Sequence, residues 1–180
     1  MPVVPPELMS ALQADFLKCS EQLSMDDDPF WRRMLFRTAF SMIEAFNFYF
    51  ADLAIKAHCH AREGQIDVTA ISLLNKKRFR LDDQGNLIGA EQRHSLIGFS
   101  AFLVKTLAEA AGVTKDYFAE SGWADLRQAV RVRHRITHPK LPEHMHIKKE
   151  EVDALVRGVS WLIHSLHDIA SQSDFMKLED

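Results

Sequence analysis

Between Trp123 and Lys140 the chain carries Arg127, Arg131, Arg133, Arg135 and Lys140 against a single acid, Asp125, and sets His134 and His138 among them. These residue types suit two tasks. An imidazole exchanges a proton near neutral pH, and a guanidinium holds an anion through several directed N–H groups. Whether they do so here depends on how the backbone presents them.

The pattern of 123–138 is helical, and at about 100° per residue it divides into two halves. Trp123, Leu126, Ala129, Val130, Val132 and Ile136 occupy one half, and Arg127, Arg131, Arg135, His134 and His138 the other. Arg133 breaks this division by falling near the middle of the apolar half. A charge buried without a partner costs several kcal/mol (about 3–5), so two arrangements are open. Arg133 pairs with a core acid, for which Glu44, between Ile43 and Phe46, is the obvious choice; or the apolar face meets a cleft or second subunit, where Arg133 waits for an anionic ligand. His134 and His138 are four apart and share a helical face. Pro139 disfavours the helical conformation at His138, so the helix ends there, with that imidazole at the negative end of its dipole. The alternative is a solvent-exposed histidine with no task.

The elements that position these residues also read at helical period. A first helix covers 7–23. Asp28 caps a second, with Pro29 in its first turn, and this helix runs to about Ala61 with apolar residues on most sides, from Leu35, Phe36 and Phe40 to Phe50 and Leu53. It is the expected central helix. A short helix is predicted over 67–75, a small hairpin or ordered loop over 79–89 around "DQGN", and a helix from Ser95 that stops at Gly112. A helical turn near 115–121 precedes the arginine-rich helix. Val152, Leu155, Val156, Val159, Leu162, Ile163 and Leu166 mark a final amphipathic helix over 148–170. The fold class is all-α, a helical bundle in one domain spanning 1–180.

Composition narrows the function further. The 180 residues are 47% hydrophobic and 26% charged, ordinary values for a globular chain. Seven glycines and six prolines argue against a turn-rich β architecture. No apolar run reaches bilayer length and the N-terminus lacks a secretory pattern, so no membrane association is expected. Two cysteines, Cys19 and Cys59, are too few for a disulfide framework, which points to a reducing cytoplasm. The net charge of −3 argues against a nucleic-acid-binding surface all over, yet the basic residues concentrate in 123–140 and in "KKRFR" at 76–80. That second run holds nucleic acid, with Phe79 stacking on a base, or is a solvated edge whose phenylalanine packs inward. "HCH" at 58–60 and "HMH" at 144–146 lack the spacing of a zinc site, and no glycine loop for phosphate is present, so neither a metal nor another cofactor is expected.

In this setting Arg133-His134-x-x-x-His138, "RHRITH", resembles the arginine, polar residue, three-residue gap and histidine motif of HEPN domains. These are all-α proteins, many of them metal-independent ribonucleases of toxin–antitoxin and phage-defence systems, others inactive dimerisation or binding modules. The layout resembles the family over most of the chain, with the motif late in a helical domain and ahead of a last amphipathic helix; only these six residues are specific. Arg127 to His134 and Arg131 to His138 also satisfy the arginine-to-histidine gap. Arg133 is singled out by the polar His134 directly after it and by its inward place on the wheel.

The resemblance implies a symmetric homodimer with the motif lining a cleft between subunits. It implies that His138 takes the proton of a ribose 2′-OH, that Arg133 stabilises charge on phosphorus, and that His134 positions the pair, leaving a 2′,3′-cyclic phosphate and a 5′-hydroxyl. Arg127, Arg131, Arg135 and Lys140, with Lys76, Lys77 and Arg78 of "KKRFR", would hold the RNA backbone, and an antitoxin or other regulatory protein would be a partner. Family members silenced by adenylylation carry a tyrosine two residues past the motif histidine. Lys140 occupies that position here, which puts this mode of control in doubt.

Overall fold

The computed structural model describes residues 5–61, 68–84 and 86–172. The fold is all-α apart from one hairpin: α1 (Pro6–Met25), α2 (Pro29–Ala61), α3 (Val68–Leu74), β1 (Lys77–Leu81), β2 (Leu87–Glu91), α4 (Leu96–Ala110), α5 (Ser121–Thr137) and α6 (Lys149–Ser171), with 3₁₀ turns at Tyr117–Ala119 and Pro142–Met145. No helix among the described residues is long and apolar enough to cross a membrane. The described chain forms two compact units, and α2 and α6 contribute to both.

The first unit comprises residues 5–46 and 116–165. Asp28 starts α2 by accepting the Phe30 backbone N–H on Oδ1 at 2.6 Å, with Pro29 supplying a first residue that has no N–H to satisfy. The core is built from Leu35, Phe36, Phe40 and Ile43 of α2, Leu126, Val132 and Ile136 of α5, and Leu155, Val159 and Leu162 of α6. Gly158 lets α6 approach α5 closely, since a Cβ there would lie 2.6 Å from both the backbone nitrogen and Cα of Leu126. Gly122 admits the Trp161 ring in the same way. Trp161 donates Nε1–H to the Tyr117 carbonyl at 3.1 Å, and the Trp123 ring lies 5.0 Å from Phe118 and 5.4 Å from Trp161. The α5 helix is thereby anchored at its N-terminal end by aromatic packing.

The second unit comprises residues 47–115 and 166–172 of the described chain. Phe50, Leu53, Leu74, Phe99, Leu103 and Leu107 are buried in it. Ser95 caps α4 by accepting the Gly98 N–H at 3.1 Å, and Gly112, at φ 68°, ends it in the left-handed conformation that glycine adopts without strain. β1 and β2 pair antiparallel with Phe79 opposite Gly89. The Asp82 carboxylate closes their turn by accepting the N–H groups of Gln84 and Asn86 at 2.9 and 2.8 Å.

Candidate functional site

In the first unit, Arg33, Arg37, Ser41 and Glu44 succeed one another at intervals of four, four and three residues, and so form one stripe along α2. Arg133, Ile136 and Thr137 of α5, with Met145, face that stripe across an open groove of about 300 Å³ floored by Phe36 and Phe40. Arg133 donates from Nη2 to Glu44 Oε1 at 2.9 Å, and its guanidinium carbon stands 5.2 Å from the centre of the Phe40 ring. Both partners of the ion pair remain open to water, with side-chain exposures of 42% for Arg133 and 49% for Glu44. At such exposure an ion pair contributes only about 0–1 kcal/mol.

The guanidinium is therefore neither sealed in the core nor free of an acid. The helical wheel puts Arg133 near the middle of the apolar half, but the structure places it at the rim. Val132 and Ile136 take the buried positions beside it. A wheel gives the angle of a side chain and not the width of the neighbour that covers it. Here Arg133 meets Glu44 and Phe40 at the groove.

The histidines lie on another side of α5. The helix ends at Thr137; His138 caps it with φ −124° and ψ 59°, donating its N–H to the His134 carbonyl at 3.1 Å. Both imidazoles are exposed, with ring centres 5.1 Å apart. Neither lines the groove, although Thr137, the residue before His138, does. The structure thus joins Arg133 to Glu44 and His134 to His138, and the two pairs are separated by the last turn of α5. Arg127 and Arg131 are exposed, with no ion-pair partner among the described residues. Their spacing to His134 and His138 (127, 131, 134, 138) puts all four on one helical stripe.

Arg135 has a different role from the RNA contact anticipated for it. It pairs with Glu151 through two 2.9 Å bonds and donates to the carbonyls of His144 at 3.3 Å and His146 at 2.7 Å. Its N–H groups are used to clamp the Pro142–Met145 turn and the first turn of α6 to the end of α5. Burial raises the Glu151 pKa, but hydrogen bonds from Arg135 and from the Lys148 N–H outweigh it and hold the carboxyl below its ordinary value. Lys140 is exposed, and its backbone N–H donates to His144 Nδ1 at 3.1 Å.

In the other unit, the Lys76 ammonium stands 3.9 Å above the Phe48 ring and 4.6 Å from that of Phe99, so the flat aromatic faces hold its charge. The side chains of Lys77 and Arg78, of Phe79, and of His58, Cys59 and His60 lie outside the described residues.

The residues that sequence reasoning did not single out are Arg33, Arg37 and Ser41. Their spacing to Glu44 carries the signal, but in a helix that reads as apolar on most sides the arginines pass for its solvated edge. No protein-family model, curated protein or solved structure matches the chain.

Proposed function

We propose that this protein is a metal-independent endoribonuclease of the HEPN type, of the kind used in toxin–antitoxin or phage-defence systems, and that it acts as a homodimer. The observation that carries this reading is the place of Arg133: its guanidinium reaches the open side of a groove shared with two further arginines, one turn of helix away from an exposed His138. An arginine required only for packing has no need of that solvent-facing position.

In this reading His138 accepts the proton of a ribose 2′-OH. The 2′-oxygen attacks phosphorus, the bond from phosphorus to the 5′-oxygen breaks, and that oxygen takes a proton from a second acid, either water or the imidazole of a second copy. Arg133 stabilises the added negative charge on the phosphoryl oxygens, and His134, with its ring 5.1 Å away, orients His138. The products are a 2′,3′-cyclic phosphate and a 5′-hydroxyl. A second copy over the C-terminal end of α5 would bring imidazoles and groove into one cleft, because within one chain they face different sides.

The 2.9 Å contact of Arg133 with Glu44 favours a second reading, a non-catalytic dimerisation or binding module in which that ion pair is structural. Cleavage of total RNA in EDTA separates the two. The nuclease reading expects cyclic phosphate ends, and a loss of about 10²-fold or more in rate for His138→Ala and for Arg133→Ala, with both variants retaining the helical signature of the wild type. A wild type that leaves RNA intact removes the nuclease reading and leaves the module.

A further inference from the structure

We propose that Arg33 and Arg37 form, with Arg133, a grip for successive phosphates of single-stranded RNA, and that Glu44 is an internal carboxylate which an entering phosphate displaces from Arg133. The grip rests on the reading of the protein as RNA-binding, and it extends the site to α2, outside the arginine-histidine motif.

Four observations support it. First, Arg33 and Arg37 both line the groove, and no ion pair or hydrogen bond holds either side chain among the described residues. Cations left unneutralised beside a third arginine repel one another, and a bound anion relieves that repulsion. Second, the charges form a line. Arg33 and Arg37 are about 6 Å apart along the α2 axis and the stripe to Glu44 covers about 16 Å, an arrangement suited to a chain of phosphates more than to one small anion. Third, the groove is open to solvent along its side, as a polymer requires, and its apolar floor of Phe36 and Phe40 offers no competing acceptor. Fourth, the Arg133–Glu44 pair is close to half exposed at both ends. An ion pair so well hydrated is weak, so a phosphate that forms two bonds to the guanidinium can replace a carboxylate that accepts one. Among the three arginines Glu44 is the only acid lining the groove, which makes it the single internal competitor.

The chemistry recognised is therefore a flexible polyanion at phosphate spacing. Its scissile phosphate sits at Arg133 and its neighbours at Arg37 and Arg33. Arg33 and Arg37 are binding residues and take no part in proton transfer.

The test uses the full chain and a fluorescent 2′-O-methyl RNA 12-mer, which lacks the attacking hydroxyl and so reports binding without cleavage. Binding is followed by anisotropy in EDTA across a salt series, and cleavage of the matching unmodified RNA is followed separately. The expected result is that R33A/R37A weakens binding about tenfold or more and flattens the slope of log affinity against log salt by about one. In cleavage it raises KM and leaves kcat close to wild type, while R157A, which removes an arginine paired with Asp125 elsewhere on the surface, changes nothing. E44Q is expected to bind about threefold to tenfold more tightly, because the amide keeps the shape of the carboxylate and loses its charge.

Unchanged binding in R33A/R37A, with circular dichroism showing a normal fold, overturns the grip. If His138→Ala still abolishes cleavage in that case, the nuclease reading survives without it. Conversely, binding that depends on Arg33 and Arg37 in a protein that never cleaves RNA supports the grip and removes the nuclease. Weaker binding by E44Q overturns the exchange, since Glu44 then holds Arg133 in place for the ligand. A poly-glutamate peptide that binds as tightly as the RNA, with the same loss in R33A/R37A, overturns the RNA assignment in favour of an acidic protein segment.

Discussion

Arg133 and Arg135 are separated by one residue on α5, yet their surroundings give them different work. Arg133 has one carboxylate and open water beside it; Arg135 has a carboxylate and two backbone carbonyls that would otherwise go unsatisfied. Removing the Arg135 guanidinium leaves those acceptors and a Glu151 carboxylate of 13% exposure without their donor. Arg135→Ala should thus lower stability by about 1–3 kcal/mol in urea denaturation, whereas Arg133→Ala should cost less than about 1 kcal/mol. Equal losses would show that the groove arginine is as structural as the clamp. The clamp also has a pH signature. The folded Glu151 pKa lies below its ordinary value of 4.5, so its contribution is fully present above that value and disappears as pH falls through the lowered one. The stability gap between wild type and Arg135→Ala should accordingly be constant from pH 7 to about 5 and close below pH 4. A gap that persists at pH 2 would assign the effect to lost packing.

At the level of elements, α5 can carry a functional rim because its opposite side is fixed against α6. The crossing is tight at Gly158, where a methyl group would be driven into the Leu126 backbone, an atom set that cannot rotate away. Gly158→Ala should cost about 1–3 kcal/mol through overpacking. In a chain of this size that lowers the melting temperature by several degrees (about 2–4 °C per kcal/mol). Gly112→Ala is the contrasting case, with nothing within 4 Å of the added carbon and only the strain of φ 68°, on the order of 1 kcal/mol. Near-UV circular dichroism of the Trp123–Trp161 contact should change for Gly158→Ala and not for Gly112→Ala. Identical spectra would mean that α6 shifts without disturbing α5. Helix starts and stops were legible in the sequence because they are local: Asp28, Ser95 and Gly112 act on backbone groups within a few residues of themselves.

For the whole molecule, a net charge of −3 means that long-range attraction does not bring RNA to the protein indiscriminately. Attraction must come from the local fields of the α2 groove and the exposed stripe of α5. The proposed reaction also asks for more than one chain, since the groove and the imidazole pair face different sides of α5. Sedimentation at micromolar concentration should give twice the 20.6 kDa mass of the chain, and dilution below the dimer's dissociation constant should reduce specific activity. A monomer with undiminished cleavage would exclude the two-copy cleft.

The sequence by itself determined the all-α class, the placement of the helices along the chain, the concentration of arginine and histidine near the end of α5, and the acid capable of meeting Arg133. Periodicity, caps and composition express short-range physics, and a chain carries these in the order of its residues. Only the tertiary structure decided that Arg133 stands at a rim and not in the core, that Arg135 is committed to Glu151 and two carbonyls, and that Arg33 and Arg37 share a groove with a residue about one hundred positions later. Those outcomes depend on which atoms of distant segments come within a few ångströms of a guanidinium. A helical wheel holds only angles about one axis and contains no such distances.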